Sequence, residues 1–282
     1  IRNYLGFARG ISGADLTQRA YQQAWVFGAR VILLDEVKTI RTEGDRHVLE
    51  VAGVGEIRAR AVVLALGVAW RRLGVPELEA LTGRGVFYGG TAADARGLAG
   101  LHAVVVGGAN SAGQAALHLA RYAASTTLVM RESRLDEIMS SYLVDQVAAN
   151  PAITVRTSTE VVAGTGDARL RSLVLQESTT GDREEIPADG LFIMIGAIPS
   201  TSWLPPEIAR DRGGYIITGQ DLLELPDAGA WPLDLRPMPY ETSVPGIFAV
   251  GDVRSGSLKR VASAVGEGSV VVSQVLRHLA QL

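Results

Sequence analysis

Residues 103 to 106, Ala-Val-Val-Val, run without a break into Gly107, Gly108, Ala109, Asn110, Ser111, Ala112 and Gly113, and apolar positions continue through Leu117, Ala120 and Tyr122. A short apolar run with no polar alternation predicts a strand buried on both faces, as strands of a parallel sheet are. Residues 127 to 130 supply a second such strand. The order is strand, glycine loop, helix, strand, which is the dinucleotide-binding unit. Glycine lets the backbone come close to a pyrophosphate, while the free N–H groups and dipole at the helix start favour its charge. Read against G-x-G-x-x-G/A, the loop has Ala109 where the second glycine belongs, and that methyl group narrows the closest approach. An ordinary tight turn is the alternative, and the flanking strand and helix favour the nucleotide.

The next strand ends in Met130-Arg131-Glu132-Ser133-Arg134. An acidic residue in this region would hold the ribose hydroxyls of NAD, and a basic one the 2′-phosphate of NADP. Both signs are present. Arg131 and Arg134 are candidates for a phosphate, a solvated charged turn is the competing reading, and the choice of NADH or NADPH stays open.

Elsewhere, Ser12 as N-cap, Asp15 three residues on and Gly28 as a stop predict a helix with Leu16, Ala20, Ala24 and Phe27 on one face. Strands are predicted at 31 to 34, 37 to 41, 47 to 51 and 56 to 60. The run at 61 to 66 reads as a fully buried strand ending at Gly67. Residues 153 to 187 form a small strand cluster, and 191 to 195 are a further buried strand ending at Gly196. Eight prolines between 199 and 245 keep that region irregular. Residues 247 to 250 are a buried strand ending in Gly251-Asp252, which puts a carboxylate at the carboxyl edge of a sheet, where α/β proteins bind ligands. A final helix spans about 261 to 279.

The 282 residues exceed the usual size of one domain, and two are expected. A net charge of −3 gives no electrostatic footprint for nucleic acid or anionic membrane. No apolar run reaches membrane-spanning length, and Ile1-Arg2-Asn3-Tyr4 has neither basic leader nor signal core, so a soluble cytoplasmic protein is expected. Ile1 in place of methionine suggests that the natural start is missing. The absence of cysteine excludes disulfides, thiolate nucleophiles, iron-sulfur ligation and cysteine zinc sites within this chain. His47, His102, His118 and His278 show no ligand-like pairing, and no metal is expected. Redox chemistry would therefore reside on a bound cofactor. Ser140-Ser141, ahead of Leu143 and Val147, reads as a helix cap rather than a nucleophile.

Together the segments at 1 to 6, 65 to 67, 107 to 112 and 247 to 253 resemble the thioredoxin reductase family of two-domain flavoproteins. The resemblance covers nearly the whole chain and implies FAD and NAD(P)H as cofactors. It implies that Asp252 binds the FAD ribityl chain, that Lys259, Arg260 and Val261 meet the isoalloxazine, and that Asn3 faces the flavin. Val37, Gly67, Gly196 and Gly251 complete the candidate cofactor contacts beside Gly107, Gly108, Ala109, Asn110, Ser111, Ala112, Arg131 and Arg134.

Three departures stand out. A first strand and Gly-x-Gly-x-x-Gly loop for the FAD pyrophosphate would have to precede Ile1. Leu66 and Ala109 replace the family's threonine and glycine. The redox Cys-x-x-Cys would fall at Gly89 or Gly90 and at Ala92 or Ala93, so this cysteine-free branch has no catalytic residue of its own there.

The expected fold is α/β and three-layer, with two Rossmann-like domains. Residues 1–98 plus 197–282 would be the FAD-type domain, and 99–196 the NAD(P)H domain. The expected activity is hydride transfer from NAD(P)H to flavin, then to an acceptor other than an internal disulfide, which could be a protein. A homodimer is implied by the resemblance. A ferredoxin or flavodoxin NADP reductase of thioredoxin-reductase type, and a non-catalytic nucleotide-sensing module, are the alternatives.

Overall fold

The computed structural model describes residues 1, 4–33, 36–89, 95–225 and 231–281. In chain order its principal elements are α1 (Gly13–Val26), β1 (Val37–Glu43), β2 (Arg46–Val51), β3 (Gly55–Ala59), β4 (Val62–Leu64), β5 (Val68–Trp70), α2 (Pro76–Glu79), β6 (Val86–Tyr88) and β7 (His102–Val106). There follow α3 (Asn110–Leu119), β8 (Ser125–Val129), α4 (Ser141–Ala148), β9 (Ile153–Arg156), β10 (Thr159–Gly166), β11 (Leu170–Glu177), β12 (Arg183–Pro187), β13 (Gly190–Ile193), β14 (Ala197–Pro199), β15 (Ile247–Ala249) and α5 (Val261–Leu279).

The backbone divides into two compact units, Ile1–Ala69 with Ile198–Leu282, and Trp70–Ala197. The first division, expected after residue 98, lies instead after Ala69. Strand β6 is the reason: it pairs in parallel with β13 through Leu191↔Val86, Phe192↔Phe87 and Ile193↔Tyr88, and Leu78, Leu81 and Val86 share a core with Val104 and Leu191. The sequence pattern predicts no strand at 86–88, and nothing local records the sheet that β6 joins.

Unit Trp70–Ala197 is built on a parallel sheet in the order β6-β13-β7-β8-β9. Alternation along its strands makes two cores. Val104, Val106, Val129, Leu191 and Ile193 pack with Val161, Leu170, Leu173 and Leu175 of the antiparallel sheet β10-β11-β12. Ala103, Val105, Leu128 and Phe192 pack instead with Ala112, Ala116 and Leu119 of α3 and with Leu143 and Val147 of α4. Residues 103–106 of β7 and 191–193 of β13 are therefore apolar at successive positions, since each face meets its own layer. Three layers result, as expected of the α/β fold.

In the other unit β1, β2 and β3 form an antiparallel meander, and β4 pairs in parallel with β15. Ile40, Leu64, Ile216, Ile247, Ala249 and Val253 make one cluster, and Phe248, Val250 and Val271 another. Two expectations fail here. Residues 31–33 form no strand; Val31, Ile32 and Leu33 are exposed, without a partner strand among the described residues. The run at 61 to 66 is not fully buried: Leu64 faces the core, but Val63 on the opposite face is exposed. Helix α1 forms where its signals predict, with Ser12 Oγ accepting the Asp15 N–H at 3.0 Å, yet it buries none of its residues. Its formation is local, from capping and dipole charge rather than packing.

Candidate functional site

The glycine loop leaves β7 at Gly107, whose φ of +141° is a conformation that L side chains rarely adopt. Its N–H donates to the Val129 carbonyl at 2.9 Å, tying the loop to the end of β8. A Cβ built on Gly107 would stand 2.6 Å from the Met194 carbonyl oxygen, so only glycine fits between β7 and the exit of β13. Ala109 needs no such freedom: at φ −85° and ψ 175° it is extended backbone serving as the N-cap of α3. Among the described residues, no hydrogen bond uses the N–H groups of Gly108, Ala109, Asn110 or Ser111. Unengaged donors at a helix start, beside a strand-to-loop turn that excludes a side chain, fit the pyrophosphate of a dinucleotide.

Asn110 turns its side chain away from the loop mouth. Its Oδ1 accepts the Ser140 N–H at 2.7 Å, and its Nδ2 donates to Ser140 Oγ at 2.9 Å. Ser140 is the N-cap residue of α4, as its sequence position suggests, but its hydroxyl makes no cap hydrogen bond and receives Asn110 instead. This clamp joins α3 to α4. Ala112 is fully buried, and Gly113 lies so close to Met139 that an added Cβ would be 2.8 Å from its sulfur.

Parallel pairing of β7 with β8, Val106↔Val129, puts the residues after β8 beside the glycine loop. Arg131 reaches Glu160 at 3.9 Å with its side chain mostly exposed. Arg134 is held by Asp136, Nε to Oδ1 at 2.9 Å and a second, shorter contact to Oδ2. Glu132 takes the place nearest the loop, with its Oε2 2.6 Å from where a Cβ of Gly108 would lie. Sequence reading singles out the two arginines and not this carboxylate. The only available signal, acidic character past the second strand, was balanced by its basic neighbours.

In the other unit the register Ile247↔Val62, Phe248↔Val63 and Ala249↔Leu64 brings the segments after β4 and β15 to one carboxyl edge. There lie Gly67, at φ +61°, and the one-turn 3₁₀ segment Gly251–Val253, with Gly251 at φ +74°. Glu267 of α5 holds this turn: its Oε2 accepts the Gly251 N–H at 2.6 Å and its Oε1 accepts Arg254 at 2.8 Å. Burial acts to raise the Glu267 carboxyl, but Arg254 and the Gly251 N–H outweigh it and hold it below its ordinary value. Glu267 was not foreseen; it sits in a helical Gly-Glu-Gly whose direction only packing reveals.

Asp252, in that turn, is half-buried, so its carboxylate is partly open to a ligand. Lys259 has φ +51° and sets its ammonium 4.2 Å from the centre of the Tyr215 ring. Arg260 caps α5 and Val261 is its first residue. Val37 opens β1 opposite Val51. Gly196, at φ +89°, accepts the Arg71 N–H at 3.1 Å in its own unit. Gly89 has φ +72°, and a Cβ there would approach Trp70 at 3.6 Å. Asn3, Gly90, Ala92 and Ala93 lie outside the described residues.

Packing also pairs two histidines that are far apart in sequence. A Cβ on Gly246 would meet His278 Nε2 at 2.6 Å and His47 Nε2 at 2.8 Å. Among the described residues no group of three or more metal-ligating side chains forms, and no helix is long and apolar enough to cross a membrane.

Residues 8–268 match the pyridine nucleotide-disulphide oxidoreductase family model. Thioredoxin reductase of Treponema pallidum is 31% identical over 280 residues, covering 99% of this chain and 83% of that protein. Thioredoxin reductase of Streptomyces clavuligerus is 33% identical over 283 residues, covering 100% and 81%. The crystal structure of thioredoxin reductase from Streptococcus pyogenes superposes with a TM-score of 0.84 at 30% identity, covering 100% of this chain and 85% of that one. FAD and NADPH are the cofactors of the thioredoxin reductases. The chain therefore belongs to the pyridine nucleotide-disulphide oxidoreductase family, as a thioredoxin reductase-like, NAD(P)H-dependent flavoprotein oxidoreductase whose 282 residues contain no cysteine.

Proposed function

We propose that this protein oxidises NAD(P)H at a bound flavin and delivers the electrons to an acceptor other than a disulfide of these 282 residues. One observation carries the reading: no cysteine is present, and the positions where the resemblance puts the redox pair are Gly89 or Gly90 and Ala92 or Ala93. A dithiol relay has no sulfur to run through.

In this reading the unit Trp70–Ala197 takes the nicotinamide nucleotide and the discontinuous unit takes FAD. Support for the first is the Gly107 turn with the unengaged N–H groups at the start of α3. Support for the second is the edge formed by Gly67, Gly251 and Asp252, braced from behind by Glu267. The flavin, when bound, supplies the two-electron chemistry that the side chains here lack. The protein's contribution is to cradle the pyrophosphate of the nicotinamide nucleotide with backbone N–H groups at the start of α3, place Asp252 at the sheet edge, and keep Gly251 in its turn through Glu267. A homodimer, a cytoplasmic location and a protein as acceptor belong to the same reading and rest on the family relationship.

The test is optical. The purified protein should be yellow, and anaerobic addition of NADH or NADPH should bleach it with formation of NAD(P)⁺, while thioredoxin is not reduced. A colourless protein, or a yellow one that neither nucleotide bleaches, would remove the enzymatic reading. Ferredoxin or flavodoxin reduction after bleaching would name the acceptor class.

A further inference from the structure

We infer that Glu132 makes this site select NADH over NADPH. The inference rests on the reading that the Gly107 loop binds a nicotinamide nucleotide. It concerns the far end of that ligand, where the two coenzymes differ by a single phosphate on the adenosine ribose.

The position of Glu132 follows from the sheet. With Val106 opposite Val129 in β7 and β8, and the Gly107 N–H on the Val129 carbonyl, the chain leaving β8 runs beside the loop leaving β7. The backbone of Glu132 is pinned from its far side, since its carbonyl accepts the Ser158 N–H at 2.9 Å. The Met130 carbonyl accepts Thr159 N–H at 2.9 Å in the same way. The side chain is thereby committed to the loop, with Oε2 at 2.6 Å and Cδ at 3.2 Å from the Cβ position of Gly108. Among the described residues, no hydrogen bond or ion pair engages the Glu132 carboxylate. It is an acceptor without a donor, set against Gly108 in the turn that would seat the pyrophosphate.

A carboxylate in that place matches two vicinal hydroxyls, which donate to its two oxygens. It repels a 2′-phosphate, which carries about −1.5 to −2 charge. Neither nearby arginine forms an ion pair with Glu132: Arg134 pairs with Asp136, and the exposed Arg131 lies 3.9 Å from Glu160. Between 131 and 137 three carboxylates stand against two guanidiniums, so the local field also disfavours an added phosphate.

Equilibrium binding of NADH and NADPH to the purified protein, by calorimetry at low ionic strength, tests this without turnover. We expect NADH to bind at least about tenfold more tightly. In Glu132→Gln the advantage should shrink through tighter NADPH binding, and in Glu132→Arg it should reverse, while thermal unfolding stays close to that of the parent protein. NADPH binding as tightly as NADH to the parent, or a ratio unchanged in Glu132→Gln, would overturn the inference and leave the redox reading intact. If neither nucleotide binds, both fall together.

Discussion

Glu267 and Arg254 form an ion pair at 2.8 Å with side chains only 11% and 19% exposed, and the same carboxylate holds the Gly251 N–H. A charged pair withdrawn from solvent is worth little against an apolar replacement, but it is costly to break by removing one partner. Here the pair also fixes the backbone of a turn at the proposed flavin edge.

Glu267→Ala should therefore lower the unfolding free energy of its unit by about 3 kcal/mol, the low end for a buried pair because both side chains keep some exposure. Arg254→Ala should cost a similar amount, and the double variant less than the sum. Urea denaturation of the four proteins checks this. Because the Glu267 carboxyl is held low in the folded state, its contribution is complete above the ordinary carboxylate range, near pH 4.3, and is lost as pH falls further. The acid limb of the stability profile should accordingly flatten in Glu267→Gln.

Gly107→Ala forces a Cβ into 2.6 Å of the Met194 carbonyl, a backbone atom that cannot rotate away. The expected result is a lower melting temperature together with at least about a tenfold loss of nicotinamide nucleotide affinity, read by calorimetry. At Gly108 the obstructing atom is the end of the flexible Glu132 side chain, so Gly108→Ala should fold nearly normally. Its effect should appear in the ratio of NADH to NADPH affinity.

Asn110→Ala removes both hydrogen bonds to Ser140 and leaves the α3 to α4 clamp empty. Both groups are solvent-accessible, so the loss should be near the ordinary net value, about 1 kcal/mol, and visible as a small drop in melting temperature. A loss several times larger would show that the clamp organises the loop beyond its own two bonds.

His47 and His278 make the unit Ile1–Ala69 with Ile198–Leu282 sensitive to mild acid. Burial lowers the His47 pKa, and His278 lowers it further, while the Pro245 carbonyl acts in the opposite sense. The unfolded chain then binds a proton that the folded one refuses. Stability is complete above the ordinary value near 6.5 and falls as pH drops toward the folded value. Urea midpoints between pH 5 and 8 should show this slope, and His278→Gln should reduce it. A flat profile in the parent protein would contradict the pairing.

The legible parts of this protein were those whose cause lies within about twenty residues. The Ser12 cap over Asp15, the apolar β7, the glycine loop and the start of α3, and the helix Val261–Leu279 all follow from propensity, capping and periodicity. The stop at Gly251-Asp252 was readable for the same reason. Periodicity could also mislead: residues 31–33 have strand-like composition but find no partner, and an unpaired strand has no ladder to hold it.

Sequence by itself thus determined most of the longer elements, the glycine loop between β7 and α3 and the absence of any sulfur for a dithiol relay within these residues. Tertiary structure alone decided that β6 joins β13, which moves the first division to Ala69. It also turned Glu132 rather than either arginine toward Gly108, set Glu267 beneath Gly251, and brought His47 against His278. Each of these depends on strand register and side-chain direction across long sequence separations. A one-residue shift in pairing would send the side chains of β6 to the opposite face and displace the segment after β8 that carries Glu132, and no local pattern records which register wins.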